Sequence, residues 1–156
     1  MRLFRFRLQG VLTVREQVEH EAQLRYARAC AAVQRAEGRL HSADAAMAAS
    51  DEMRRAHLAA RSSAGQLEQL RLYAVLLSDL RARVVIELGE ARTRAEEARR
   101  QLIVATQHRE ALERLRGRQR RAHDYQAARA DQKLLDDLAG KGPTLAELWR
   151  QTFTHS

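Results

Sequence analysis

The side chains with which this chain could do chemistry are six histidines, one cysteine and a large set of carboxylates and arginines. Their spacing builds no familiar reactive site. Glu16 and His20 stand one helical turn apart, but the equivalent neighbours of His108 and Asp124 are Leu112 and Ala128, so no ligand set forms. There is no HExxH zinc helix and no glycine-rich phosphate loop. Cys30 is alone, which excludes an intrachain disulfide and a multi-cysteine metal site. Its alanine-rich neighbourhood reads as a buried small apolar position rather than a nucleophile. The histidines read as surface residues. The expectation is a protein that is not an enzyme and holds no cofactor or metal.

What remains is the chemistry of guanidinium. Formal net charge is +8 and the pI is near 10.8, with Lys only at Lys133 and Lys141. Arg2, Arg5 and Arg7 alternate with Leu3, Phe4 and Phe6, and a second cluster holds Arg114, Arg116, Arg118, Arg120 and Arg121. Such charge attracts nucleic acid, an anionic membrane or an acidic protein surface. The cluster from Arg114 to Arg121 has no interleaved aromatics to stack bases, and no DNA-reading motif is present. Apolar residues among the N-terminal arginines suit insertion into a hydrophobic protein sleeve better than a phosphate groove; a membrane surface could accept them too.

The elements that must position these groups follow from periodicity. Aromatics make up 4% of the chain, and Ala, Leu, Arg, Glu and Gln dominate, a composition of long helices. Alternating steps of three and four from Leu67 land on Leu70, Ala74, Leu77, Arg81, Val84, Leu88, Ala91, Ala95, Ala98, Leu102, Ala105, Arg109 and Leu112. A repeat of about 3.5 residues keeps this stripe on one side of a helix and demands a partner helix. Leu8, Val11, Leu12, Arg15, Val18, Ala22, Tyr26, Ala29, Val33, Ala36, Leu40, Ala43 and Met47 supply it. The alternation at residues 3–8 is short enough for a strand, but helical spacing takes over at Leu8, so a helix start is preferred. Arg61-Ser62-Ser63-Ala64-Gly65 marks the turn, with Ser62 or Ser63 as cap.

The predicted fold is therefore all-α, a long two-helix antiparallel coiled-coil hairpin over 1–139, with helices over about 8–60 and 66–138 joined by a turn at 61–65. At about 1.5 Å per residue the arms reach roughly 80 and 110 Å, a slender rod whose second arm overhangs the first. This register sets Leu8 near Arg118 to Arg121 and gathers both arginine clusters at the open end. In the tail, 140–156, Gly140-Lys141-Gly142-Pro143 stops the long helix. Thr144 and Glu147 then have capping-box spacing for a short helix with Leu145, Leu148 and Trp149, followed by Phe153. The start of the chain does not read as a secretory signal, and no apolar run is long enough for a membrane span. A cytoplasmic protein is expected.

Several stretches together resemble the FliJ family, the small coiled-coil proteins of bacterial flagellar export. They are Phe6-Arg7-Leu8-Gln9-Gly10-Val11-Leu12 with Arg15-Glu16-Gln17 and Glu19, Ala36-Glu37 with Leu40, Leu70 with Tyr73 and Leu77, Leu112-Glu113-Arg114-Leu115, and Asp131-Gln132-Lys133 with Asp136-Asp137-Leu138-Ala139. The resemblance covers about residues 4 to 139. It implies a stalk-like protein that places its open end in the pore of the hexameric export ATPase and promotes its assembly and activity. It also implies links to the cytoplasmic domain of the export-gate membrane protein and to export chaperones, and residence in the cytoplasm, peripheral to the inner membrane at the flagellar base. On this reading the ATPase-docking end comprises Phe4, Phe6, Leu8, Val11, Leu12, Gln132 and Lys133, with the charge pattern adding Arg116, Arg118, Arg120 and Arg121. Tyr73 and Leu77 fall on the gate-binding face. Leu77 is also a seam position, for which packing is the simpler role, whereas Tyr73 lies off the seam. Two other readings stay open: the equivalent stalk of a virulence-type secretion system, and a basic coiled coil that binds nucleic acid or anionic lipid non-specifically. The last predicts binding that collapses with salt.

Overall fold

The computed structural model describes residues 3–140. It contains two helices, α1 (Gln9–Ala59) and α2 (Ala64–Gly140), and no strand among the described residues. The helices pack against each other as an all-α hairpin. Residues 3–6 have no regular secondary structure, with a turn at Arg7 and Leu8, so the helix expected to start in this segment begins at Gln9. The expected short helix with Leu145, Leu148 and Trp149, and Phe153 beyond it, lie outside the described residues. By packing, the chain divides into two compact units, Thr13–Arg109 and Met1–Leu12 with Glu110–Ser156.

In the Thr13–Arg109 unit the buried and half-buried residues of α1 include Arg15, Glu19, Ala22, Tyr26, Ala29, Val33, Ala36, Leu40, Ala43, Met47 and Ser50. These are unbroken steps of three and four, as a coiled-coil seam requires. One position differs from the apolar pattern. Val18 is 37% exposed, and Glu19 takes its place in the seam at 9%. On α2, every expected seam residue from Leu67 to Ala105 is buried or half-buried except Arg81. Arg81 instead crosses the rim of the interface, its Nε donating to Asp44 Oδ1 at 2.5 Å. Arg92 with Glu37 at 3.0 Å and Arg39 with Glu87 at 2.8 Å add cross-helix pairs that run in the same antiparallel register.

Five of the ten buried apolar residues among those described are alanine: Ala22, Ala36, Ala43, Ala91 and Ala105. Alanine buries little area, and burial is worth about 25 cal/mol per Å². The contribution of each layer is therefore small, and stability accumulates along the length.

The turn uses both ends of the helices it joins. Ser62 N–H donates to the His57 carbonyl (3.0 Å) and Arg61 N–H to that of Leu58 (3.2 Å), the paired bonds of a Schellman ending. Arg61 takes the left-handed conformation this needs, with φ of 52°. Ser63 then opens α2 through a reciprocal capping box. Gln66 N–H donates to Ser63 Oγ (3.3 Å), and Ser63 N–H donates to Gln66 Oε1 (3.2 Å). His57 is half-buried here, with Nδ1 2.9 Å from Ser62 Oγ, so it is not a plain surface histidine.

A side chain in the left-handed region costs about 1 kcal/mol relative to glycine. Arg61→Gly should therefore raise the unfolding free energy by about that amount, read from urea denaturation followed by circular dichroism. A lower midpoint would mean that the Arg61 side chain contributes more than its backbone conformation costs.

Candidate partner-binding surfaces

In the unit that holds the N-terminal residues, the Phe6 carbonyl accepts the Gln9 N–H (3.2 Å) and the Leu8 carbonyl accepts the Leu12 N–H (2.9 Å), which starts α1. Phe6 is 6% exposed and Leu12 wholly buried. Both were expected at the docking end, and both are interior residues of this unit. Phe4 is half-buried, its ring 5.7 Å from that of His123 and tilted 59° to it. This contact sets residues 3–8 beside the stretch of α2 that carries the arginines. Leu3, Leu8 and Val11 remain open, at 95%, 38% and 45% exposed.

Arg116, Arg118, Arg120 and Arg121 are all exposed. Arg114 is paired with Glu110 (2.8 Å), and Arg120 stands 4.0 Å from Asp124. Arg5, Arg7, Arg116, Arg118 and Arg121 have no ion-pair partner among the described residues. The unit thus presents uncompensated guanidinium groups next to exposed aliphatic ones. Farther along α2, Gln132 donates to Asp136 Oδ1 (3.0 Å), and Lys133 is exposed.

The second surface lies on the Thr13–Arg109 unit. Leu77 is 8% exposed, so it belongs to the seam, while Tyr73 is 46% exposed. Leu72, Leu76 and Leu80 accompany Tyr73 on one flank of α2, at 51%, 66% and 47% exposed. Their spacing of four residues was visible in the chain. It signals more apolar side chains here than one partner helix can cover.

A polar layer interrupts the apolar seam. Glu19 accepts hydrogen bonds from Thr106 Oγ1 (2.8 Å) and from Arg109 Nε. The side chains of Glu19 and Arg109 are only 12% and 22% exposed. Arg15 Nη1 lies 3.5 Å from His108 Nδ1 in the same layer. The Arg109 guanidinium holds the Glu19 carboxyl below the usual carboxylate range, against the opposing effect of burial and with help from the Thr106 hydroxyl. Cys30 is half-buried, and no group of His, Cys, Asp and Glu that could hold a metal occurs among the described residues. No described helix is long and apolar enough to cross a membrane.

These features define a class: an antiparallel two-helix coiled coil whose outward-facing residues offer surfaces for other proteins. The family profile described as Flagellar FliJ protein matches residues 4–143. The chain belongs to the FliJ family, and so to the machinery of flagellar type III protein export, whose FliJ components are structural rather than enzymatic. No curated protein and no solved structure matches it.

The lowered Glu19 value has a defined sign. The unfolded chain takes up the proton first, so this stabilisation is fully present above the ordinary carboxylate value of about 4.3 and is lost as pH falls through the lowered native value. The drop in urea midpoint between pH 7 and pH 3 should accordingly be smaller in Glu19→Gln than in the parent. Glu68, also lowered by its hydrogen bonds from Arg71, contributes equally to both chains and drops out of the comparison. Equal drops would remove Glu19 as a source of acid sensitivity.

Proposed function

We propose that this chain is a stalk-like element of flagellar export that docks on the hexameric export ATPase through the unit containing its N-terminal residues. The observation that carries the reading is the set of unpaired arginines, Arg116, Arg118 and Arg121 with Arg5 and Arg7, beside exposed Leu3, Leu8 and Val11. Apolar side chains offer adhesion that salt does not screen, while guanidinium groups steer the approach to an acidic pore lining. Phe4, Phe6 and Leu12 shape this end from within, and Gln132 and Lys133 extend it along α2. By occupying the centre of the ring the protein promotes hexamer assembly and ATP hydrolysis. Tyr73, with Leu72, Leu76 and Leu80, forms the face for the cytoplasmic domain of the export gate, and export chaperones are further partners. The protein then works in the cytoplasm, peripheral to the inner membrane at the flagellar base.

The deciding experiment measures the hydrolysis rate and hexamer population of the flagellar export ATPase from the same organism. It is run with and without this protein at about 0.15 M salt, where the screening length is about 8 Å. Both should rise. No effect, with salt-sensitive binding to nucleic acid or anionic vesicles instead, would favour the non-specific basic coiled coil. Replacing Arg116, Arg118 and Arg121 together by Ala should keep helicity and weaken ATPase binding roughly tenfold, at about 0.5 kcal/mol for each exposed charge. Unchanged affinity by titration calorimetry would move the docking site away from these arginines.

A further inference from the structure

α2 carries a second repeat on the face turned away from α1. Leu72, Val75, Asp79, Ala82, Ile86 and Gly89 follow one another in steps of three and four. Each stands two residues from a seam position: Leu72 from Leu70, Val75 and Asp79 from Leu77, Ala82 and Ile86 from Val84, and Gly89 from Ala91. Two residues turn a helix by roughly 200°, so this stripe is almost opposite the seam. All six residues are exposed, with Leu72, Val75 and Ile86 open to 51%, 47% and 62%. A sustained 3,4 repeat marks a helix that meets another helix, and α1 already fills the other side. A Cβ placed at Gly89 meets nothing within 4 Å, so the space beside this position is open to a close neighbour.

We propose that the helix on this stripe is the same stripe of a second copy of the chain, running antiparallel. With Leu72 set opposite Gly89 of the second copy, Val75 falls opposite Ile86 and Asp79 opposite Ala82. The alignment has two-fold symmetry, so each of these meetings occurs twice. The longest apolar side chain faces the residue that has none, and Ala82 leaves room for Asp79 to reach Arg83 of the second copy. Asp79 and Arg83 stand one helical turn apart, yet neither has an ion-pair partner among the described residues. The alignment joins Asp79 to Arg83 and Arg83 to Asp79, a reciprocal pair at the rim. The stretch from Leu72 to Gly89 balances Arg81 and Arg83 against Asp79 and Glu87, and is neutral in a chain of net charge +8. Two copies therefore meet here without the repulsion that the arginine-rich surfaces would impose. The stripe belongs to the Thr13–Arg109 unit, and the proposal does not rest on ATPase docking. It shares only Leu72 with the face that carries Tyr73.

Sedimentation equilibrium of the full chain reads the association directly. An interface of this length is small, hence weak and reversible, so the series extends to several hundred micromolar. The weight-average mass should climb from the 17.8 kDa of one chain towards twice that value. Ile86→Glu should keep the helical circular dichroism and hold the mass of one chain throughout. Asp79→Arg alone sets arginine against Arg83 of the second copy and should raise the dissociation constant about tenfold, since two exposed pairs are lost in each dimer. Combining Asp79→Arg with Arg83→Asp exchanges the charges of the pair and should return the constant to within a few-fold of the parent value. A parent chain that keeps the mass of one chain at every concentration overturns the proposal. So does a dimer that survives Ile86→Glu, which puts the interface on another surface. An association indifferent to Asp79→Arg, or not rescued by the double exchange, overturns it as well, because the antiparallel register is then wrong.

Discussion

Everything in this molecule depends on how near two long helices can lie to one another. In the Thr13–Arg109 unit that distance is set by alanine. Ala22, Ala36 and Ala43 on α1 alternate along the seam with Tyr26, Val33, Leu40 and Met47, and on α2 Ala91, Ala95 and Ala98 follow one another between Leu88 and Leu102, with Ala105 beyond. Small positions admit large ones from the facing helix, so the interface closes without a wide core. The outward faces are left free, which is where a protein working by contact needs its surface.

An alanine-rich seam adheres but discriminates poorly between registers, because one small apolar layer resembles the next. The Glu19, Thr106 and Arg109 layer supplies discrimination. Sliding the helices by one heptad would set Glu19 against Leu102 in place of Arg109, and a carboxylate in a mostly closed interface would lose its partner. Breaking such a pair costs far more than the pair adds when intact. The rim pairs Asp44 with Arg81, Glu37 with Arg92 and Arg39 with Glu87 point to the same alignment. Each is exposed and individually weak.

The hairpin was legible in the sequence because a 3,4 repeat leaves little choice about what a helix must do. Nearly every α2 seam residue read from spacing is covered, and the Arg61 to Gly65 stretch does contain the reversal. The failures share a physical origin. Glu19 was passed over for Val18 because hydropathy ranks valine as the interior residue. Only a cross-helix partner, invisible to a single-strand pattern, reverses that order. Within the turn the left-handed position falls on Arg61, a place that the composition of the stretch does not single out, since it is decided by where α1 ends. Phe6 and Leu12 were assigned to the docking end through family resemblance, which places residues at an end but carries no signal of burial; both are interior. The leucine flank at Leu72, Leu76 and Leu80 was overlooked because the seam accounted for the helix so well.

The unbroken 3,4 phase of both helices also restricts how such a chain can change length. One inserted residue in the middle of α1 rotates everything after it by about 100° and carries the seam into solvent, whereas seven restore the phase almost completely. A heptad added to one arm alone, however, displaces Glu19 from Arg109 and every rim pair beyond the insertion. Length can therefore drift only in matched blocks, seven residues in α1 answered by seven opposite them in α2. Sequence drift at single outward-facing positions is unconstrained by this rule. The architecture tolerates rapid divergence of its surface while it keeps the distance between its ends quantised.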